Sequence, residues 1–307
     1  MNHIRHVAEE GLSSGSVDPA RTLTYAREIA SRPKRVFCRA IESVTGRHQL
    51  ARRARNYHLD ICAERSFWEV CFDRLEASVR WEGAGLEGIP REGPLICVAN
   101  HPFGLVDGLA LGLTLSRRRK DFKILTNSVL CRVPEITDFL LPIVFDQSRE
   151  ALDINLKTRK TALQTLADAG AIAVFPGGTV STSARPFGRA IDPEWKTFTA
   201  KMILKSEAVV VPLYFNGQNS RLFQIASHMS QTLRLSLMIN EMKKCIGKEL
   251  VVTIGAPISP QVIAQHRNAP ADLMEALRLS TYQLSGSPIT WREYGWPHKS
   301  LKTKVYE

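Results

Sequence analysis

The sequence predicts an α/β fold, with a mostly parallel or mixed central sheet flanked by helices and an N-terminal helical segment before it. From residue 94 onwards, short apolar runs of strand length alternate with stretches of helix length, which is typical of a helix-covered sheet. Residues 19–80 carry helical periodicity, and the Gly- and Pro-rich residues 81–94 separate the two regions. The predicted parts are a mobile tail over 1–18, basic amphipathic helices over 19–84, an α/β domain over 85–285 and a basic tail over 286–307.

The N-terminal helices combine an apolar stripe with a basic stripe. In "VFCRAIESV", residues 36–44, the apolar side chains fall within ~140° of a helical wheel drawn at about 100° per residue. Residues 31–55 hold eight Lys or Arg against one acid, Glu42. A helix of this kind is suited to lie on an anionic bilayer. The alternative is a helix packed against the domain with its basic face in solvent.

Strands are predicted where apolar runs are flanked by turn residues, namely over 94–100, 122–127, 141–146, 171–176, 208–216 and 249–258. Helices are predicted between them, over 105–116, 134–140, 153–170, 195–206 and 270–285. In the helix over 153–170 the predicted apolar face consists of Ile154, Leu156, Ala162, Leu163, Leu166 and Ala167. Gly170 is the predicted stop of that helix.

Composition limits the class of partner. The net charge of +11 favours a polyanionic partner, which is a nucleic acid, an anionic membrane or an acidic small molecule. An aromatic content of 7% and the lack of a recognition motif disfavour nucleic acid. The six cysteines form no C-x-x-C pair, so we expect no zinc site and a reduced, cytosolic environment. We also expect no secretory signal and no transmembrane helix, because no apolar run is long enough.

The stretch "VANHPFGLVDGLALG", residues 98–112, places His101 and Asp107 just after a predicted strand. On an unbroken helix, residues six apart differ by about 240° and face different directions. Pro102 disfavours a helical conformation at His101, and Gly104 permits an unusual turn. A turn over 101–104 and a helix from Leu105 would therefore bring both side chains together at the carboxyl end of the sheet, where open α/β sheets bind ligands.

A histidine held by a carboxylate can act as a general base, because the carboxylate fixes one tautomer and stabilises the imidazolium. Asp107 would also suit the first turn of a helix, where the helix dipole favours negative charge. The local sequence places no Ser or Cys beside the pair, so the attacking hydroxyl would belong to a substrate. A structural histidine with a helix-capping aspartate is the alternative that spacing alone leaves open.

The same stretch resembles the first signature of the glycerophospholipid acyltransferases, which is Asn-His, four residues and Asp. Here five residues separate His101 from Asp107, and the "HPFG" form is similar to a bacterial, hemolysin-like branch of that superfamily. Three further blocks follow in the expected order: "LTNSVLCRVPEI" (125–136), "AVFPGGTVS" (173–181) and "VVVPLYFNG" (209–217). The upstream "IESVTGRHQL" (41–50) is similar to the leader of this branch. The resemblance covers roughly residues 85–260 and implies a glycerolipid-acyltransferase-like fold.

The resemblance implies a peripheral O-acyltransferase on the cytoplasmic side of an anionic membrane. It would move an acyl group from acyl-CoA or acyl carrier protein to a hydroxyl of a lysophospholipid or related lysolipid, with no cofactor or metal. His101 would be the general base, Asp107 would orient it, and backbone N–H groups near 177–179 would hold the oxyanion. The implied substrate-binding residues are Asn100, Phe103, Gly104, Arg132, Pro176, Gly177, Gly178, Thr179 and Arg185.

Two positions depart from the third block of the family: Gly177 replaces a Glu, and Val180 replaces an Arg. The missing Arg removes a bidentate phosphate contact. The acceptor would then be another lysolipid, a lyso-aminolipid, or a phosphate held by Arg132, Arg185 or Arg189, although surface charge also explains these arginines and a plain strand-to-turn exit explains "FPGGT". Two other functions stay open, a catalytically degenerate fold that binds lipid and a basic nucleic-acid-binding protein.

Overall fold

The computed structural model describes residues 23–127, 133–144 and 148–296. Within them, one seven-stranded sheet consists of β1 (Ser78–Gly83), β2 (Leu95–Ala99), β3 (Phe122–Asn127), β4 (Leu140–Ile143), β5 (Ala171–Val174), β8 (Val209–Phe215) and β9 (Glu249–Ile254), and a small ribbon consists of β6 (Thr182–Ser183) and β7 (Ala190–Ile191). The order in the sheet is β1-β9-β8-β2-β5-β3-β4. Neighbouring strands of this sheet are parallel except β8 and β9. The predicted fold class is confirmed.

The α-helices of the described part are α1 (Arg32–Glu42), α2 (His48–Arg53), α3 (Phe67–Arg74), α4 (Leu105–Ser116), α5 (Arg149–Ala167), α6 (Thr197–Ile203), α7 (Arg221–Met229), α8 (Gln231–Lys244), α9 (Pro260–Gln265) and α10 (Pro270–Gln283). Serine hydroxyls accept a backbone N–H at the start of α3, α5, α7, α8 and α9. These caps satisfy donors that the first helical turn leaves open. A short 3-10 helix, Pro134–Phe139, occupies the predicted helix over 134–140.

The central strand β2 is buried on both faces, and its alternate side chains enter two different cores. Leu95, Cys97 and Ala99 pack with α3 and α4 and with part of α8. Ile96 and Val98 pack with α5, α6 and α10. The sheet is therefore covered by helices on both faces, which leaves its carboxyl edge as the open place for a ligand.

Two expectations for single elements are wrong, and two helices were not predicted. Residues 78–83 were predicted to be helical, but they form β1 and pair in parallel with β9. Leu156 of α5 was predicted to be on the buried face, but it is 62% exposed. The sequence pattern gave no assignment for α7 and α8, which lie in residues 218–248.

Helix α1 turns part of the predicted apolar stripe outwards. Its buried residues are Cys38 and Glu42, and it packs against α8. Val36 is 67% exposed and Phe37 is 49% exposed, whereas Ile41 of the same stripe is half-buried and packs against the cluster that contains Phe223. In the described part of the chain, no helix has the length and apolar character needed to cross a membrane.

The predicted tails fall partly outside the described residues, which exclude 1–22 and 297–307. Residues 286–296 continue to pack after α10. Gly295 donates its N–H to the carbonyl of Asp192, and Trp296 donates its N–H to the carbonyl of Thr182, at 3.0 Å each. This part of the predicted C-terminal tail is therefore hydrogen-bonded to the β6–β7 ribbon and to Asp192 directly after it.

Candidate active site

Asn100 closes the carboxyl end of β2. Its side-chain Nδ2 donates to the carbonyl of Phe215 at 3.0 Å, and its Oδ1 accepts the N–H of Phe215 at 2.7 Å. The amide therefore extends the pairing of β2 with β8 by one step. Asn100 was predicted to bind substrate, but its side chain is buried. The oxygen and the nitrogen of its amide are both hydrogen-bonded to the backbone of Phe215, so the contacts of Asn100 are structural.

The turn after β2 brings the predicted pair together. Gly104 has φ +85°, a value that favours glycine, and α4 begins at the next residue. Asp107 Oδ2 accepts the N–H groups of Phe103 and Gly104 at 2.8 and 2.9 Å. The same oxygen lies 3.0 Å from His101 Nδ1. Asp107 thus caps the turn and faces the imidazole at once, which combines the two alternatives that the spacing left open.

The contact between His101 and Asp107 has the distance of an ion pair but not the alignment of a regular hydrogen bond. Nδ1 of His101 and Oδ1 of Asp107 are buried and have no hydrogen-bond partner among the described residues. Burial raises the pKa of Asp107, and the contact with His101 and the two backbone N–H groups oppose this rise. A buried carboxylate in this place favours a proton on Nδ1 and so leaves Nε2 as the basic nitrogen.

The His101 ring has one protected face and one open edge. It stacks on Phe175 with the ring centroids 4.1 Å apart. The side chain is 18% exposed, and Nε2 makes no hydrogen bond with any described residue. A hydroxyl from solvent or from a bound lipid can therefore approach Nε2. Phe103 is half-buried beside it and packs on Gly217, where a Cβ would lie 2.6 Å from the ring.

A second buried carboxylate, Asp192, holds the backbone of His101. Its Oδ1 accepts the N–H of His101 at 3.2 Å and the hydroxyl of Ser181. Its Oδ2 accepts Nε1 of Trp195 at 2.8 Å. Ser181 in turn donates its N–H to the carbonyl of His101 at 2.7 Å. Burial raises the pKa of Asp192, and these donors oppose the rise.

The turn of the third block lies against Asp192. Gly178 has φ +66° and donates its N–H to Phe175, so this N–H is not free to hold an oxyanion. The N–H groups of Gly177 and Thr179 have no hydrogen-bond acceptor among the described residues. A Cβ on Gly177 would lie 3.4 Å from Oδ2 of Asp192. Asp192 therefore places a carboxylate next to the position where the family pattern has Glu. Pro176, also predicted at the site, is buried and its carbonyl accepts the N–H of Lys196.

Behind the same turn lies a buried arginine, Arg234 of α8. Its guanidinium donates to the carbonyl of Val180 at 2.6 Å and to three hydroxyls, those of Thr179, Thr182 and Ser227. Burial lowers the pKa of Arg234 to about 10, so the group stays cationic at neutral pH.

Of the three arginines predicted to bind phosphate, the two that the structure describes make no contact with His101. Arg132 lies outside the described residues. Arg185 is exposed on the loop between β6 and β7. Arg189 donates to Ser285 Oγ and Tyr214 Oη at 3.0 and 3.2 Å, which fixes that loop to the end of α10.

Sequence reasoning missed Asp192, Ser181, Phe175 and Arg234 as site residues. Asp192 is 91 positions away from His101, and Arg234 lies on a helix that the sequence pattern did not reveal. Neither shares a local motif with the His101 turn. Among the described residues, no group of three or more His, Cys, Asp or Glu side chains is arranged to hold a metal ion.

Comparison with known proteins identifies relatives over most of the chain. The model of a family described as acyltransferase matches residues 39–287. Two lyso-glycine lipid O-acyltransferases, from Phocaeicola vulgatus and Bacteroides thetaiotaomicron, are each 32% identical, over 228 and 233 residues. Each alignment covers 71% of this chain and 77% or 79% of the relative.

A solved structure, the 1-acyl-sn-glycerophosphate acyltransferase from Thermotoga maritima, is similar at 15% identity and a TM-score of 0.45, covering 88% of this chain and 90% of that one. The family match carries the assignment, since residues 39–287 include the His101 turn, the β5 turn and the sheet that joins them. The two relatives, each 32% identical over 71% of this chain, agree with it. The chain therefore belongs to the acyltransferase family and is an acyltransferase.

Proposed function

We propose that this protein transfers an acyl group from an acyl thioester to the hydroxyl of a lysolipid, with His101 as general base. The observation that carries the proposal is the His101–Asp107 pair at the carboxyl edge of the sheet, with Nδ1 3.0 Å from a buried carboxylate and Nε2 open. The two relatives act on lyso-glycine lipid by name. A single-chain lipid with a glycine head group is accordingly the first acceptor to test.

In the proposed reaction, Nε2 of His101 takes the proton from the acceptor hydroxyl as its oxygen attacks the thioester carbonyl. The tetrahedral intermediate carries the negative charge on the former carbonyl oxygen. The free N–H groups of Gly177 and Thr179 are the candidate donors to that oxygen. When the intermediate collapses, the C–S bond breaks and the thiolate takes the proton back from the imidazolium. The products are the ester and the free thiol, and no acyl-enzyme forms.

Each neighbour of His101 has a place in this reaction. Asp107 stabilises the imidazolium, because a buried carboxylate at this distance interacts strongly with a positive charge. Phe175 holds the ring plane by stacking. Asp192 holds the main chain of His101 and so acts as a positioning residue. The thiol carrier is coenzyme A or acyl carrier protein, as the family resemblance implies.

Membrane association is part of the proposal. The exposed Val36 and Phe37 of α1 accompany the basic Arg32, Lys34, Arg35 and Arg39. An apolar strip bordered by cations binds anionic bilayers through both burial of apolar surface and charge. A surface of this kind would bring the enzyme to an acceptor that resides in the cytoplasmic leaflet.

The test is transfer by the wild-type protein and by His101→Ala. Purified protein is given labelled acyl-CoA or acyl carrier protein and a panel of single-chain lipids, and products are identified by mass spectrometry. Transfer should fall by ~10² to 10⁴ in His101→Ala, the usual contribution of a general base. His266→Ala is the matched control, since His266 lies at the end of α9 and its ring has one hydrogen-bond partner among the described residues, the carbonyl of Val262.

Two results would overturn the proposal. One is equal transfer by wild type and His101→Ala. The other is no transfer by wild type with any donor and acceptor while vesicle binding persists, which would favour the lipid-binding protein without activity. Loss of transfer in His266→Ala would show that the assay reports stability rather than chemistry.

A further inference from the structure

Arg234 is a buried cation that has no acidic partner in the part of the chain that the structure describes. Its side chain lies over the ring of Phe223, with the guanidinium carbon 4.9 Å from the centroid, and the residue is 4% exposed. All of its partners are neutral oxygens. Among the described residues no carboxylate lies within ion-pair distance of it, so the positive charge is not neutralised inside the fold. An isolated buried charge is costly, and such a charge beside an active site is a candidate for ligand recognition.

The hydrogens of the three hydroxyls bound to Arg234 do not all have acceptors. Each hydroxyl accepts from the guanidinium, so its own hydrogen must point elsewhere. Thr182 donates to the carbonyl of Val180 at 3.1 Å, and Ser227 donates to the carbonyl of Phe223 at 2.7 Å. Thr179 has no acceptor among the described residues, and it is half-buried rather than enclosed. Its O–H group is therefore a free donor that is polarised by a cation.

This donor lies at the proposed active site. Thr179 is two residues before Ser181, whose N–H binds the carbonyl of His101. The side chain of Val180, between them, is packed close to Gly104 of the His101 turn. An anion that accepts from Thr179 would thus be bound at the turn that is hydrogen-bonded to the main chain of His101. Of the described arginines predicted for such an anion, Arg189 is bound to Tyr214 and Ser285, and Arg185 is exposed on the loop between β6 and β7.

We propose that Arg234, acting through the hydroxyl of Thr179, makes the enzyme selective for acceptor lipids with an anionic head group. The proposal rests on the proposed function and adds a property to it. The group that Thr179 would bind is an oxyanion. A glycine head group carries such an oxyanion as a carboxylate, and a glycerol phosphate head group carries it as a phosphate. A hydrogen bond to a charged acceptor is worth more than one to a neutral acceptor, so removing the donor should affect the charged lipid more.

The experiment measures kcat/KM for two matched pairs of acceptors. One pair is a hydroxyacyl-glycine and its methyl ester, and the other is a lysophosphatidate and the corresponding monoacylglycerol. Wild type should prefer the charged member of at least one pair, which identifies the source of the oxyanion. In Thr179→Val and Arg234→Met this preference should fall roughly tenfold or more, the value of one charge-assisted hydrogen bond.

Ser227→Ala is the matched control, because Ser227 also binds Arg234 but gives its hydrogen to Phe223. We expect it to keep the wild-type preference. Thr179→Val keeps the buried arginine and so tests the proposal even if Arg234→Met does not fold. Equal loss of kcat/KM for charged and neutral acceptors would overturn the inference and favour a role at the oxyanion. Wild-type transfer without charge preference in either pair would also overturn it, whereas absence of all wild-type transfer would instead contradict the proposed function.

Discussion

His101 lies between two buried carboxylates that contact different parts of it. Asp107 faces the imidazole, and Asp192 accepts the backbone N–H. Burial raises the pKa of both. The fold keeps two costly groups next to one another at this point, which is common at functional sites and rare in a plain core. The side chain and the main chain of the proposed base are thus fixed independently.

The raised pKa of Asp192 predicts how stability depends on pH. The folded state binds a proton on this carboxyl more tightly than the unfolded chain does, whose pKa is near 3.8. Asp192 therefore favours folding most below that value, and its contribution is lost as pH rises through the raised pKa. The free energy of unfolding of wild type relative to Asp192→Asn should fall as the pH is raised from about 4, as measured by urea unfolding.

Asp121→Asn is the control with the opposite sign. Hydrogen bonds from Arg119 lower the pKa of Asp121, so its contribution is present above the usual pKa and is lost as the pH falls. The free energy of unfolding of wild type relative to Asp121→Asn should rise or stay level over the same pH range. A flat or rising difference for Asp192 would mean that its three donors outweigh burial.

Helix α1 has one face that packs against the protein and another that is exposed. Cys38 and Glu42 face the protein, where Glu42 accepts the Thr24 hydroxyl at 2.6 Å and the Tyr25 N–H at 2.7 Å. These polar contacts, together with the buried apolar cluster of Ala26, Ile29 and Cys38, attach the helix to the preceding segment. Val36 and Phe37 are left exposed on the outer side of α1.

Phe37→Glu should weaken binding to vesicles of phosphatidylglycerol and phosphatidylcholine. Losing the burial of one aromatic side chain corresponds to roughly a tenfold change or more, and the added charge acts in the same direction. Melting temperature should change little, because the side chain is exposed. Vesicle sedimentation at low and high salt measures the effect.

Leu156→Glu, at an exposed apolar residue of α5, should retain wild-type vesicle binding. Equal binding by wild type and Phe37→Glu would exclude α1 as the membrane contact. Equal losses in both variants would point to a general effect of added negative charge.

At the scale of the whole molecule, the N-terminal helices and the α/β part share one core. Trp68 of α3 packs on Gly112 of α4, where a Cβ would lie 2.4 Å from its ring. Trp81 of β1 donates Nε1 to Thr114 of α4 at 3.0 Å. The predicted division at residues 84 and 85 therefore runs through continuous packing and through a strand pair, β1 with β9.

This shared core predicts a single cooperative unfolding transition. Hydrogen exchange in increasing urea, followed by mass spectrometry, should give the same midpoint for peptides from α3 and from β2. Loss of protection in α3 at clearly lower urea than in β2 would show that the N-terminal helices are a separate folding unit. Peptides from the exposed loop between β6 and β7 serve as the unprotected reference.

Local sequence determined the central strands and the bend after His101, because neighbouring residues along the chain are enough to form them. Apolar runs with turn residues at both ends fixed the central strands, and the Pro and Gly after His101 fixed the bend that brings Asp107 to it. The expectation failed where a neighbour decides the outcome. The short, mostly polar β1 is a strand because β9 supplies its hydrogen bonds. Val36 and Phe37 of α1 are exposed because the buried residues of that helix are Cys38 and Glu42.

The tertiary structure alone decided which distant groups surround the proposed base. Asp192 and Arg234 have no periodicity or spacing that links them to His101, since they arrive there through the β6–β7 ribbon and through the docking of α8. Charge at a site depends on distance in space, and a buried group is perturbed by whatever the fold places around it. Sequence could therefore identify His101 and Asp107 as the pair proposed to react, while the second carboxylate and the buried cation became visible only when the chain was folded.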